Sequence, residues 1–162
     1  MNVFEGLVRE LEKRNLTITA AESCTGGMFQ SNIVDINGAS SVFKEGFVTY
    51  SNEAKIKYLG VDKKILSKYG AVSFECAVSM AKGVYNLTGA DIAVAITGLA
   101  GPTGDDSEKP IGTVFFAVET KDNTYTYHCL YQGPRYGVRE KACKFIAGRI
   151  IELLENNTIK AY

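Results

Sequence analysis

The sequence predicts a three-layer α/β domain with a mixed sheet. Helix-like and strand-like segments alternate along the chain, as in α/β proteins. Residues Asp91–Thr97 form a near-continuous apolar run bounded by turn residues, which indicates a strand covered on both faces and placed centrally in the sheet. Gly112–Thr120 and Thr124–Tyr131 flank a short turn and predict an antiparallel hairpin, so the sheet is expected to be mixed.

The first half of the chain begins with an amphipathic helix. Its apolar residues recur at helical spacing: Val3, Phe4, Leu7, Val8 and Leu11. A strand is predicted over Leu16–Ala20, followed by a glycine turn at 24–27 that leads into a second helix. A short strand over Gly46–Tyr50 and a helix over Asn52–Leu59, ended by Gly60, come next. Further helices are expected over Ser73–Leu87 and from about Val138 to Leu154.

Length and charge limit the classes of protein to consider. The 162 residues fit one domain, 1–162, without a repeat. Lys+Arg and Asp+Glu both count 18, so no basic face is implied and we expect no nucleic acid partner. Neither a secretory segment nor an apolar run of membrane-spanning length is found, so we expect a cytoplasmic protein with no membrane partner.

The cysteine and histidine content argues against a metal centre. The four cysteines contain no C-x-x-C pair, and His128 is the single histidine, within an alternating strand. A Ser-His-Asp triad or a multi-histidine site would need that one residue in the right place. We therefore expect no metal and no bound cofactor.

Two loops that follow strands are candidate ligand sites. They are Ala20–Gly27 and Thr97–Gly104, both rich in glycine and hydroxyl groups. Ligands of open α/β sheets bind outside the carboxyl ends of strands, and glycines let backbone N–H groups approach an anion. The second loop matches neither a triphosphate nor a dinucleotide fingerprint, and each loop taken alone is better interpreted as a tight structural turn than as a ligand site.

A lysine near the start of a predicted helix is a candidate base. With Asn52 as the N-cap, Lys55 falls in the first turn, where the macrodipole lowers the pKa of an ammonium. A lysine with a lowered pKa can act as a general base toward a serine hydroxyl, although spacing alone favours a solvated surface lysine. Ser41–Lys44 has the S-x-x-K spacing of penicillin-recognising enzymes, but its companion motifs are absent, so we interpret Lys44 as a surface residue.

At these residues the chain resembles a known family, the CinA C-terminal domain, whose stand-alone members are nicotinamide-nucleotide amidases. The matching stretches occur in the family's order and cover nearly the whole chain: Thr19–Gly27, Gly46–Lys55, Tyr69–Ser73, Gly98–Pro102 and Glu108–Val114. The resemblance implies a three-layer α/β/α fold with a mixed sheet of about five strands. It also implies hydrolysis of nicotinamide mononucleotide to nicotinic acid mononucleotide and ammonia.

The resemblance also implies roles for particular residues. Carried over by position, the nucleophile is Ser40, the general base Lys55 and the proton-relaying phenol Tyr50. Ser23 and Thr97 are then pocket hydroxyls that orient the amide. Backbone N–H groups of residues 38–41 or of the Gly26-Gly27 turn are alternative oxyanion donors.

The C-terminal part of the resemblance concerns the phosphate. The family has a Gly-Asp-Arg segment followed by Val-Arg, and here Pro134 replaces the acid, while Arg135 and Arg139 keep the two guanidinium groups. One of these arginines is expected to bind the substrate phosphate, and Gly26 and Gly27 are also expected to bind substrate. The resemblance further implies a homo-oligomer, a dimer or larger. The rival hypothesis is a non-catalytic nucleotide-binding or interaction module related to competence-damage proteins.

Overall fold

The structure, a computed structural model that describes residues 1–162, contains seven helices and five strands. The helices are α1 Val3–Arg14, α2 Met28–Val34, α3 Ala39–Val42, α4 Asn52–Leu59, α5 Lys63–Tyr69, α6 Phe74–Thr88 and α7 Arg135–Glu155. The strands are β1 Ile18–Glu22, β2 Phe47–Val48, β3 Ile92–Gly98, β4 Thr113–Glu119 and β5 Thr124–Leu130.

The five strands form one mixed sheet in the order β2-β1-β3-β4-β5. β1 pairs in parallel with β2 and with β3, whereas β3–β4 and β4–β5 are antiparallel. The prediction of a mixed sheet with a C-terminal hairpin is therefore confirmed. β3 lies in the middle and six of its seven residues are buried, as its apolar run predicted.

Helices cover both faces of this sheet and make the three layers. One apolar cluster joins α1, α2, α3 and α7 to side chains such as Ile18, Val94 and Phe116. The other joins α4, α5 and α6 to the alternate side chains of the same strands, among them Ala95 and Phe115. Because successive side chains of a strand point to opposite faces, each central strand supplies both clusters.

Several elements differ from the sequence prediction. α3 and α5 were not predicted. α3 is a single turn, and α5 has seven residues with none fully buried, so both are too short to show a clear helical period. β2 has only two residues, and β1 starts at Ile18 rather than Leu16. α7 starts at Arg135 rather than Val138, because Pro134, at φ −70°, fits the position just before a helix.

The predicted helix over Asn52–Leu59 is confirmed, but its cap is Ser51 rather than Asn52. The Ser51 hydroxyl accepts a hydrogen bond from the Ala54 backbone N–H at 3.0 Å. α4 in turn packs closely on α6 at Gly83, where a Cβ would meet the Leu59 carbonyl oxygen at 2.1 Å. This close approach fixes α4, and therefore Lys55, relative to the sheet.

The carboxyl ends of β2, β1 and β3 meet at one edge of the sheet because the three strands are parallel. From β1 the chain crosses to β2 through α2 and α3 on one face, and from β2 it returns to β3 through α4, α5 and α6 on the other face. The end of β1 is therefore a switch point, where α/β proteins commonly bind ligands.

Candidate active site

A cleft of about 310 Å³ lies at this switch point. It is formed by segments around Ser23, Tyr50, Val72, Thr97 and Arg135. Ser23 directly follows β1, Tyr50 follows β2, and Thr97 is near the end of β3. The size is within the usual range for small-molecule sites.

A buried serine–lysine pair lies at the base of the cleft. The Lys55 side chain is 1% exposed, and its Nζ lies 2.9 Å from the Ser23 Oγ. The same Nζ donates to the carbonyl oxygens of Thr49 at 2.9 Å and Tyr50 at 3.0 Å. A neutral amine has two hydrogens and one lone pair. With the two hydrogens on these carbonyls, the lone pair can accept the Ser23 hydroxyl proton.

The electrostatic setting favours the neutral amine. Burial lowers the pKa of Lys55, because the ammonium loses its water shell, and no carboxylate forms an ion pair with it. Desolvation by burial is the main cause of the lowered pKa of Lys55.

Two thiols near the pair are not competing nucleophiles. Burial raises the pKa of Cys24, which lines the cleft, to about 12. Burial likewise raises the pKa of Cys76 to about 11. Thiolates are the reactive form of cysteine, so both side chains are unreactive at neutral pH. Ser23 is therefore the nucleophile candidate of the cleft.

Ser40, the expected nucleophile, does not lie beside Lys55. Ser40 is exposed on the short helix α3, in a separate surface hollow between Val34 and Phe43 that shares no residue with the cleft. Its backbone carbonyl accepts from Lys44. The hydroxyl that Lys55 contacts belongs to Ser23, because β1 and β2 are neighbours and bring their ends together.

Tyr50 is in the cleft, but its phenol does not face the serine–lysine pair. The phenol oxygen accepts a hydrogen bond from the Arg135 guanidinium at 2.8 Å, and the side chain is 59% exposed. Its backbone carbonyl, by contrast, holds Lys55. Tyr50 therefore contacts Lys55 through its main chain, whereas the phenol that was expected to relay protons contacts Arg135.

The two predicted arginines have different positions. Arg135 lines the cleft, and it donates to the Gly101 carbonyl at 2.7 Å as well as to Tyr50. Arg139 lies outside the cleft, and its guanidinium donates hydrogen bonds to the backbone carbonyls of Cys24 at 3.0 Å and Thr25 at 2.8 Å. Arg139 therefore holds the loop after Ser23 in place.

Gly26 and Gly27 also lie outside the cleft and border the same surface hollow as Arg139. Their φ angles of +57° and +96° are unfavourable for other residues, so their role is to turn the chain from β1 into α2. The expectation that they contact substrate is not supported by their position.

Thr97 lines the cleft as expected, and its buried hydroxyl donates to the Ala71 carbonyl at 2.9 Å. Sequence reasoning missed Asn52 and Asp105, which also line the cleft. Asn52 stood in the Lys55 segment but was assigned a capping role. Asp105 lies beyond the predicted loop, and only the fold brings it to this site.

No group of three or more His, Cys, Asp or Glu side chains is arranged to hold a metal ion. Among the helices, none combines the length and apolar character that crossing a bilayer requires.

The fold and the site together define a three-layer α/β protein with a serine–lysine pair at the carboxyl ends of its parallel strands. The chain belongs to the CinA C-terminal domain family, whose model matches residues 2–154.

Curated relatives carry the family name. A CinA-like protein from Kosmotoga olearia is 48% identical over 141 residues, covering 87% of this chain and 34% of the relative. A CinA-like protein from Fervidobacterium nodosum is 47% identical over 142 residues, covering 86% of this chain and 33% of the relative. The chain thus spans about a third of the length of these relatives.

Solved structures agree with the fold. A competence-damaged protein (CinA) superfamily protein from Klebsiella pneumoniae is 34% identical and has a TM-score of 0.93, covering 95% of this chain and 96% of that one. Another from Escherichia coli is 36% identical and has a TM-score of 0.91, covering 94% of this chain and 88% of that one.

Proposed function

We propose that the protein is an amidohydrolase that converts nicotinamide mononucleotide to nicotinic acid mononucleotide and ammonia, with Ser23 as nucleophile and Lys55 as general base. The observation that carries the proposal is the 2.9 Å contact between the Ser23 hydroxyl and the buried Lys55 amine, which also lies within hydrogen-bond distance of the Thr49 and Tyr50 carbonyl oxygens. The substrate is taken from the family resemblance. No step needs a metal or a cofactor.

In the first half of the reaction, the neutral Lys55 amine takes the Ser23 proton while the Ser23 oxygen attacks the carboxamide carbon. The resulting ammonium then protonates the leaving nitrogen. The carbon–nitrogen bond breaks, ammonia departs, and an ester to Ser23 remains.

In the second half, Lys55 takes a proton from water, the resulting hydroxide attacks the ester, and the proton returns to Ser23 as the acid is released. The oxyanion of each tetrahedral intermediate needs donors. The backbone N–H groups of Cys24 and Thr25 directly follow Ser23 and have no carbonyl acceptor within the chain. One such donor typically contributes about 3 kcal/mol to transition-state stabilisation.

Arg135 supports a phosphorylated substrate. Its guanidinium is exposed at the rim of the cleft and is held by two neutral acceptors, the Tyr50 phenol and the Gly101 carbonyl. A phosphate is a stronger acceptor for a guanidinium than either group. Arg135, rather than Arg139, is therefore our candidate for binding the nucleotide phosphate.

The test compares two serine variants. Purified protein is incubated with nicotinamide mononucleotide, and ammonia and nicotinic acid mononucleotide are measured. We expect turnover by the unchanged protein and by Ser40→Ala, and loss of turnover with retained folding in Ser23→Ala. Binding of the nucleotide by thermal shift without turnover would instead favour a non-catalytic nucleotide-binding module. Full activity of Ser23→Ala would exclude the proposed mechanism.

Two expectations about partners remain predictions. They are assembly into a homo-oligomer and the lack of a nucleic acid partner, and sedimentation and binding measurements would check them.

A further inference from the structure

Glu22 is a fully buried acid that the proposed reaction does not use. It is the last residue of β1, directly before Ser23, and its side chain is 0% exposed. Burying a carboxylate is costly unless hydrogen bonds replace its water. None of the ion pairs in the structure involves Glu22, so the compensation must come from neutral donors.

Those donors are at the start of α2. One carboxylate oxygen of Glu22 accepts from the Phe29 backbone N–H at 2.9 Å. The other accepts from the Gln30 backbone N–H at 3.0 Å and from the Gln30 side-chain amide at 2.8 Å. The first backbone N–H groups of a helix have no partner within it, so this carboxylate fixes the beginning of α2 relative to β1.

Gln30 extends the connection to β2. Its side-chain amide has two hydrogens, and it also donates to the Phe47 carbonyl at 3.2 Å. The contact is tight, because a Cβ on Gly46 would meet the Gln30 side-chain oxygen at 2.1 Å. The Glu22 main chain joins the same segment, since its carbonyl accepts from the Thr49 backbone N–H at 2.9 Å.

These contacts link the two halves of the candidate active site. The segment that begins with Phe47 continues to Thr49 and Tyr50, whose carbonyls hold the Lys55 amine. On the other side, Glu22 is bonded covalently to Ser23. The position of Ser23 relative to Lys55 therefore depends on the alignment of β1 with the residues after β2.

We propose that Glu22 and Gln30 are positioning residues, which hold the Ser23 loop in line with the carbonyl groups that bind Lys55. The proposal rests on the proposed function for its effect on turnover. Its effect on the geometry around Lys55 can be measured without substrate.

The main variant is Gln30→Met. Methionine has a similar length but cannot donate, so the link to Phe47 is removed while the Glu22 carboxylate keeps both backbone donors. The matched control is Asn32→Leu on the same helix, whose side-chain amide donates to the Met28 carbonyl at 2.8 Å and does not reach β2. We expect kcat to fall about tenfold in Gln30→Met with KM within about twofold, because misalignment affects the chemical step more than binding. Asn32→Leu should retain both values.

The second readout is the pKa of Lys55, measured by NMR of protein with ¹³C-labelled lysine. In Gln30→Met, water should replace the loosened carbonyls and relieve the desolvation of the ammonium, so the pKa of Lys55 should rise relative to the unchanged protein. In Asn32→Leu it should not move. A folded Gln30→Met with an unchanged or lower Lys55 pKa would overturn the proposal, whether or not the protein is an amidase.

Glu22→Gln provides an independent variant, because an amide nitrogen would face the backbone donors of α2. If it folds, it should lower kcat at least as much as Gln30→Met; if it does not fold, Gln30→Met alone decides. If the protein without substitutions has no amidase activity, the proposed function fails. The effect of Gln30→Met on the pKa of Lys55 can still be measured and interpreted in that case.

Discussion

The guanidinium of Arg135 donates to the phenol oxygen of Tyr50 at 2.8 Å, across the rim of the cleft. This contact joins the start of α7 to the residue after β2. The side chain and the main chain of Tyr50 therefore take part in different contacts. The side chain belongs to the rim, whereas the backbone carbonyl belongs to the base of the cleft, where it holds Lys55.

Tyr50→Phe should therefore be a mild change. The variant keeps the carbonyl contact with Lys55 and loses one rim hydrogen bond, which is typically worth about 1 kcal/mol, or roughly fivefold in kcat/KM. Steady-state kinetics with nicotinamide mononucleotide would check this. A loss of several orders of magnitude in kcat would restore the phenol to the role of proton relay.

Arg135→Gln should discriminate between substrates with and without a phosphate. A hydrogen bond to a charged group contributes about 1.5–3 kcal/mol, so kcat/KM for nicotinamide mononucleotide should fall roughly ten- to a hundred-fold, while activity on nicotinamide riboside should change little. Arg149→Gln is the matched control, since Arg149 also lies on α7 but pairs with Glu152. Equal losses on both substrates would contradict phosphate binding by Arg135.

The local features of the fold and most segments of the site were predictable, but the pairing of side chains within the site was not. The helix Asn52–Leu59 and the buried strand over 92–97 follow from periodicity and bounding residues that lie next to each other in the chain. The choice between Ser23 and Ser40 depends on which strand ends are neighbours in the sheet. Ser40 is nearer to Lys55 along the chain, yet the parallel pairing of β1 with β2 brings Ser23 to the amine.

The sequence alone likewise could not distinguish the positions of the two arginines or show that Glu22 is buried. Arg135 and Arg139 are one helical turn apart, so their spacing could not show that one faces the cleft and the other faces the Ser23 loop. Glu22 stood inside the recognised motif, but its burial becomes apparent only when α2 folds back onto the end of β1.

The pH dependence should follow the ionisation of Lys55. In the proposed mechanism the Lys55 amine must be neutral, so kcat/KM should rise with pH through the pKa of Lys55 and level off above it. Burial lowers that pKa from its ordinary value of 10.5. The rising part of the pH profile, its acid limb, should therefore have its midpoint below pH 10.5. A limb at or above the ordinary lysine value would show that Lys55 is not the base, or that it is solvated during turnover.

Glu53→Gln should move this limb. The negative charge of Glu53 acts to raise the pKa of Lys55, so its removal should shift the limb to lower pH. Because Glu53 is exposed and screened by salt, the shift should be less than about one pH unit. Glu75→Gln, an exposed acid in the first turn of α6, is the matched control and should leave the profile unchanged.

The position of Lys55 also depends on the packing of α4 against α6, which can be tested at two helical glycines. A Cβ on Gly83 would meet the Leu59 carbonyl oxygen at 2.1 Å, whereas a Cβ on Gly148 in α7 would meet nothing within 4 Å. Gly83→Ala should therefore push α4 away from α6 and destabilise the fold by about 1–3 kcal/mol, lowering Tm by roughly 2–12 °C. Its kcat should fall as well, because α4 carries Lys55.

Gly148→Ala should instead be neutral or stabilise the protein by up to about 1 kcal/mol, since alanine is the better helix former and no neighbour is displaced. Thermal unfolding and amidase kinetics of the two variants give the comparison. Equal Tm values would show that α4 can shift without cost. A lower Tm with full kcat in Gly83→Ala would show that the placement of Lys55 does not depend on this contact.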